Sequence, residues 1–362
     1  MHRSRQEAAT GALRAFNLGP FSARQAPQHG FHIIGRFLRL LSVYAAYRYL
    51  VTEGISVVVF MFVCLLGSAG LFLILQRPWR GRPLSSSLLV PTLINGGVMA
   101  LSLVLWGRGL RTCGPVRTIL AEYAGAVLGA ISTLLFGRSG FIWRRVAGLV
   151  AILAAFYFLS QGWALSSNSP FSSGNSPRGE EEVRHIGLWS MLLPALSGVL
   201  AALRRIISRR VSLKSLSKKR LHAVTVTSAA CCLFPFALVH LALTKGQAHP
   251  EHHASPAWAY SSTILFGIVL IFYVDSFVED RLHVVVASPQ HLLVTAAGII
   301  ILELLYGMDF SLLGFTLCTS VLGLGIYEAT STDRGKGKAG ESSHSDFLNE
   351  DQDPLTMSTL PS

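Results

Sequence analysis

Charge is what this sequence has least of. Of its 362 residues only 14% are Asp, Glu, Lys or Arg, where an ordinary soluble domain carries ~25%. Hydrophobic residues make up 51% and the mean hydropathy is +0.48, which excludes a soluble globular protein. Signatures of catalysis are missing too: there is no GxxxxGK[ST] phosphate loop, no HExxH zinc helix and no GxSxG nucleophile elbow. No enzyme is expected. Five cysteines give no disulfide framework, because Cys64, Cys231, Cys232 and Cys318 fall within apolar runs, only Cys113 lies near a loop, and no CxxC occurs. The first 36 residues lack the apolar core of a signal peptide, and no His is followed by Asp four residues later anywhere in the chain.

What the chain has instead is apolar runs recurring about every 30 residues, the period of an all-α polytopic membrane protein. Eight runs read as spans: 55–75, 88–106, 118–136, 146–164, 186–203, 222–243, 257–274 and 310–327. Two weaker ones are 291–306, which carries Glu303, and 37–51, which is short and contains Arg39 and Arg48. About ten transmembrane helices are expected.

Basic residues set the orientation, since short loops rich in Lys and Arg stay cytosolic. The segment 204–220, RRIISRRVSLKSLSKKR, holds eight basic residues and no acid. With it inside, alternation puts 23 of the 31 Lys and Arg on the cytosolic side and 6 on the lumenal side, with Arg39 and Arg48 within a span. Both termini are then cytosolic. The net charge of +12 expresses this bias, so membrane lipids and not nucleic acid are the expected partners of the basic residues.

The expected organisation is a basic cytosolic tail (1–36), a first five-helix half (37–164), a lumenal linker rich in Ser, Pro and Gly (165–185), a second five-helix half (186–327) and an acidic tail or linker of disordered composition (328–362). The Arg-rich, acid-poor first 36 residues also suit an organelle transit peptide. "LLFG" at 134–137 and "LLYG" at 304–307 each close the fourth span of a half. Five spans per half would orient the halves oppositely, as in the inverted repeats of carriers.

Four groups of residues invite a chemical reading. In "RTCGPVRTILAEYAGAV" (111–127), Gly114 and Pro115 break one helix and start the next, and Arg111 and Arg117 can reach head groups. Glu122 lies ~6 Å into its span at 1.5 Å per residue, within reach of Arg117. It is a structural partner of that arginine or a way-station for a proton or cation, and Glu303 admits the same two readings. Asp275, Glu279 and Asp280 follow the eighth span, as a helix-terminal charge cluster or a cation site. "HPEHH" places His249, Glu251, His252 and His253 in one lumenal loop, a donor set that suits zinc at a superficial site.

Three elements carry a resemblance. "CGPVRTIL", with Cys113, Gly114, Pro115, Arg117, Thr118 and Leu120, is similar to a motif in the long N-terminal multispanning region of the secretory-pathway zinc transporters of the cation diffusion facilitator family. "KRLHA", Lys219 and Arg220 to Ala223, followed by Pro235, is the second, and "FYVDS", with Phe272, Tyr273 and Asp275, the third. Over 105–280 the order of the three agrees, although Glu122 falls one place early. The resemblance implies a Golgi or vesicle membrane, or in the transit-peptide reading a plastid or other organelle, zinc as the transported ion with no tightly bound cofactor, and pairing with another subunit of the family. The family's His and Asp transport residues and its cytosolic metal domain have no positions here, so the chain corresponds to the extension alone, as a fragment or short form. The expected role is assembly or stability of the transporter. The ten-span plan also resembles the drug/metabolite transporter superfamily, whose nucleotide-sugar carriers supply the alternative: a solute carrier in its own right.

Overall fold

The computed structural model describes residues 26–77, 86–136, 142–165, 188–212, 218–244, 256–274 and 289–329. Among these no strand occurs, and ten helical stretches follow in order: α1 Ala26–Thr52, α2 Val57–Gln76, α3 Ser86–Cys113, α4 115–136, α5 Ile142–Ser160, α6 Leu188–Ser212, α7 Lys218–Thr244, α8 256–274, α9 Pro289–Tyr306 and α10 Leu312–Ala329. Seven helices are long and apolar enough to cross a membrane. The chain is a helical, multi-pass membrane protein. The other three are α1, which carries several Arg, α4, which is interrupted, and α9, whose apolar part is short.

Each expected span overlaps one helix, but the bounds of span and helix differ. α1 begins at Ala26, ahead of the expected 37, and α6 continues to Ser212 through Arg204 and Arg205. Hydropathy marks where a helix leaves the lipid, while its hydrogen bonds let it continue into water. Segment 204–220 is therefore largely helix and not loop, apart from 213–217, which lie outside the described residues.

Polar residues inside the spans satisfy themselves locally. The hydroxyls of Ser68, Thr225, Thr295 and Thr319 each donate to the carbonyl four residues earlier, at 2.8, 2.9, 2.9 and 2.8 Å. Such bonds let a hydroxyl stay in an apolar layer where no water can pair it. Small residues then bring backbones together. Gly148 of α5 faces Gly325 of α10 so closely that an added Cβ on either would lie 2.9 Å from the other's carbonyl oxygen.

The packing has a regularity beyond any single contact. α3 packs on α6, and α8 on α1; α3 also packs on α7, and α8 on α2; α4 packs on α6, and α9 on α1. Each pair becomes the other when five is added to or subtracted from both helix numbers. α2 with α7 and α5 with α10 are their own images under that exchange.

Candidate functional site

The corner between α3 and α4 is built from backbone needs. Gly114 has φ 82° and ψ 172°, a conformation that excludes side chains, and Pro115 occupies the first turn of α4, where its missing N–H costs nothing. The Gly114 N–H donates to the Leu110 carbonyl at 3.2 Å, and the Gly114 carbonyl accepts from the Thr118 hydroxyl at 2.8 Å. Cys113 Sγ donates to the Ser190 carbonyl of α6 at 3.1 Å, tying the corner to its neighbour. Arg117 does not reach head groups as expected: it is 3% exposed, and its Nε and Nη1 have no hydrogen-bond partner.

Glu122 opens a tight 3₁₀ turn, Glu122–Ala124, between the two α-helical parts of α4. Here the expected Arg117 partnership is corrected. Arg39 of α1 donates from one nitrogen, Nη2, to both carboxylate oxygens at 2.7 Å, and Trp106 Nε1 of α3 donates to Oε1 at 3.0 Å. Glu122 thus joins three helices. Arg117 leaves α4 one turn nearer the helix start and packs toward Cys113. Arg39 and Glu122 are 23% and 22% exposed.

Two further contacts extend this interior along α9. Tyr123 Oη and Thr295 Oγ1 share a hydrogen bond at 3.0 Å, with Arg36 of α1 near the phenol, and Tyr44 of α1 donates to Glu303 Oε1 at 2.6 Å. Residues from α1, α3, α4 and α9 therefore converge into a polar seam. Sequence reasoning missed Arg39, Trp106, Tyr44, Tyr123 and Thr295 as members of it. Arg39 was the available signal, since an intramembrane arginine calls for an acid.

At the other end of the bundle the second and third motif elements meet. His222 of α7 stacks on Phe272 of α8, ring centroids 3.7 Å apart and planes 9° apart, and Phe72 of α2 stands edge-on to both. Tyr273 packs beside Phe272 and Phe72. Lys219 is exposed and Arg220 half-buried in the first turn of α7, while Pro235 lies inside that helix. Asp275, Glu279 and Asp280, and His249, Glu251, His252 and His253, lie outside the described residues. Among the described residues no three of His, Cys, Asp and Glu gather as a metal would require.

No known family's profile matches the sequence. Solved structures share the fold, 11 chains in all. One, a protein known from its crystal structure, aligns with 85% of this chain and 98% of its own length, with TM-score 0.51 and 15% identity. That likeness is one of fold alone, a bundle of helices. At that identity it carries nothing about activity.

Proposed function

We propose that this chain is the N-terminal membrane module of a secretory-pathway zinc transporter of the cation diffusion facilitator family, and that it supports assembly or stability of the transporter. The observation that carries the reading is what the motif residues are used for. Cys113, Gly114, Pro115 and Thr118 form a helix corner, and Phe272 and Tyr273 form an aromatic joint with His222. These are the contacts of a scaffold. In this reading the helices cross the membrane ten times in two inverted halves with both termini cytosolic, in a Golgi or vesicle membrane, and zinc passes through a partner subunit that carries the His/Asp module.

The test is purification in detergent with and without a family partner that carries the module, followed by zinc uptake after reconstitution. Co-elution, with uptake only by the pair, supports the proposal. Uptake by this chain alone overturns the assembly role.

A second reading, a drug/metabolite-type carrier such as a nucleotide-sugar transporter, draws on different observations. The helix packing repeats on exchange of the two halves, as an inverted repeat requires, and a charged pair with an indole donor sits inside the bundle. Exchange of labelled nucleotide sugars across liposomes containing the purified chain tests it, and no exchange of any candidate would sink it.

A further inference from the structure

The interior holds two acids, and they are treated differently. Glu122 has a guanidinium and an indole, and is partly open. Glu303 is 2% exposed, one turn from the end of α9, and its hydrogen-bond donor is the neutral phenol of Tyr44. Tyr306 stacks on Tyr44 with centroids 5.5 Å apart and closes the seam, and Tyr47 of α1 stands within electrostatic reach of the carboxyl. No Lys, Arg or His among the described residues bonds to it.

A carboxylate enclosed in a membrane span needs a positive partner, and the described side chains around Glu303 offer none. A bound metal ion would need several oxygen or nitrogen ligands around it, whereas among the described residues no group of three His, Cys, Asp or Glu gathers here. A proton needs neither. We propose that Glu303 is a proton-binding site in the seam between α1 and α9: the carboxyl accepts the Tyr44 bond on Oε1 and carries the proton on Oε2. The seam continues toward the other end of α1 through Arg36 to His32 and His291, whose ring centroids are 4.6 Å apart, so further titratable groups line the same interface. Twelve residues of α1 separate His32 from Tyr44, about 18 Å along the helix.

Infrared spectroscopy of the full chain in lipid at neutral pH tests this. The expected result is the carbonyl stretch of a protonated carboxyl, absent from Glu303→Gln, retained in Glu122→Gln, and moved to higher frequency in Tyr44→Phe, where the hydrogen bond to Oε1 is gone. No such band in the wild type, or a band that persists in Glu303→Gln, overturns the proposal. If Glu303→Gln does not fold, Tyr44→Phe decides, and a band that does not move there overturns it.

Discussion

Removing Glu122 should cost more than removing both members of its ion pair. In Glu122→Ala, Arg39 loses two bonds of 2.7 Å and keeps its charge inside the bundle, and Trp106 loses its acceptor. Stripping one partner from a fully buried pair costs about 3–5 kcal/mol. Because both groups are roughly a quarter exposed, water can take up part of the stranded charge, and the loss should be about 2–3 kcal/mol. The double variant Arg39→Met with Glu122→Leu removes both charges and should return to within about 1 kcal/mol of the wild type. Arg39→Lys gives a sharper test of the geometry. A single nitrogen makes both bonds, so an ammonium can stand in for the guanidinium, and the change should be nearly neutral although it would break a two-nitrogen fork. The assay is unfolding of each variant in detergent, read as a cycle. Additive single variants, each mild, would refute the pairing. A stable double variant that loses zinc uptake with its partner, or solute exchange alone, would move the pair from scaffold to transport path.

Other outcomes follow from single contacts. Gly114→Ala should destabilise the chain by about 1–3 kcal/mol, since a residue with a side chain must adopt φ 82°, and a lowered melting temperature in detergent measures it. Gly198→Val should separate α4 from α6, because even a Cβ there meets the Ala121 carbonyl; a cost of about 1–3 kcal/mol and loss of the monodisperse elution peak are expected. His222→Ala should lose the stack on Phe272, about 0.5–1.5 kcal/mol beyond the lost packing, while His222→Phe should keep most of it. In the orientation proposed from the basic residues, Ser215→Cys should react with an impermeant maleimide added to the cytosolic face and not with one confined to the opposite face; the reverse labelling would invert that orientation.

Why was the helix framework legible in the sequence and the interior not? Every expected span overlaps a helix because an apolar run of that length has no other way to satisfy its backbone in lipid. The helical continuation of α1 ahead of residue 37 and of α6 past residue 203 was missed because hydropathy reports the edge of the lipid, and Arg204 and Arg205 continue a helix as readily as they end a span. Side-chain partners were harder still. Arg39 and Glu122 are 83 residues apart, and Tyr44 and Glu303 are 259 apart, so no local pattern links them. Arg117, only five residues from Glu122, was the nearest candidate and the wrong one.

A charge inventory of the spans would have come closer than proximity did. The expected spans contain two acids, Glu122 and Glu303, and two bases, Arg39 and Arg48. Two pairs would balance such a set, but Arg48 lies four residues from the end of α1 and is exposed, where it gains water instead of a partner. Of those two bases only Arg39 is inside, although the folded bundle also buries Arg36 and Arg117. Arg39 goes to Glu122, the acid that also finds an indole, and Glu303 has the Tyr44 phenol as its donor. Glu303 of α9 with its single phenol is where that arithmetic ends, and the phenol, Tyr44, lies on the same helix, α1, that carries Arg39. A shift of α1 would therefore act on both acids at once, loosening the Arg39 bonds as it opens the Tyr44 contact. In a Glu122→Ala chain, where α1 is no longer held to α4, the infrared band of Glu303 should weaken at neutral pH; an unchanged band would mean that the two acids are independent.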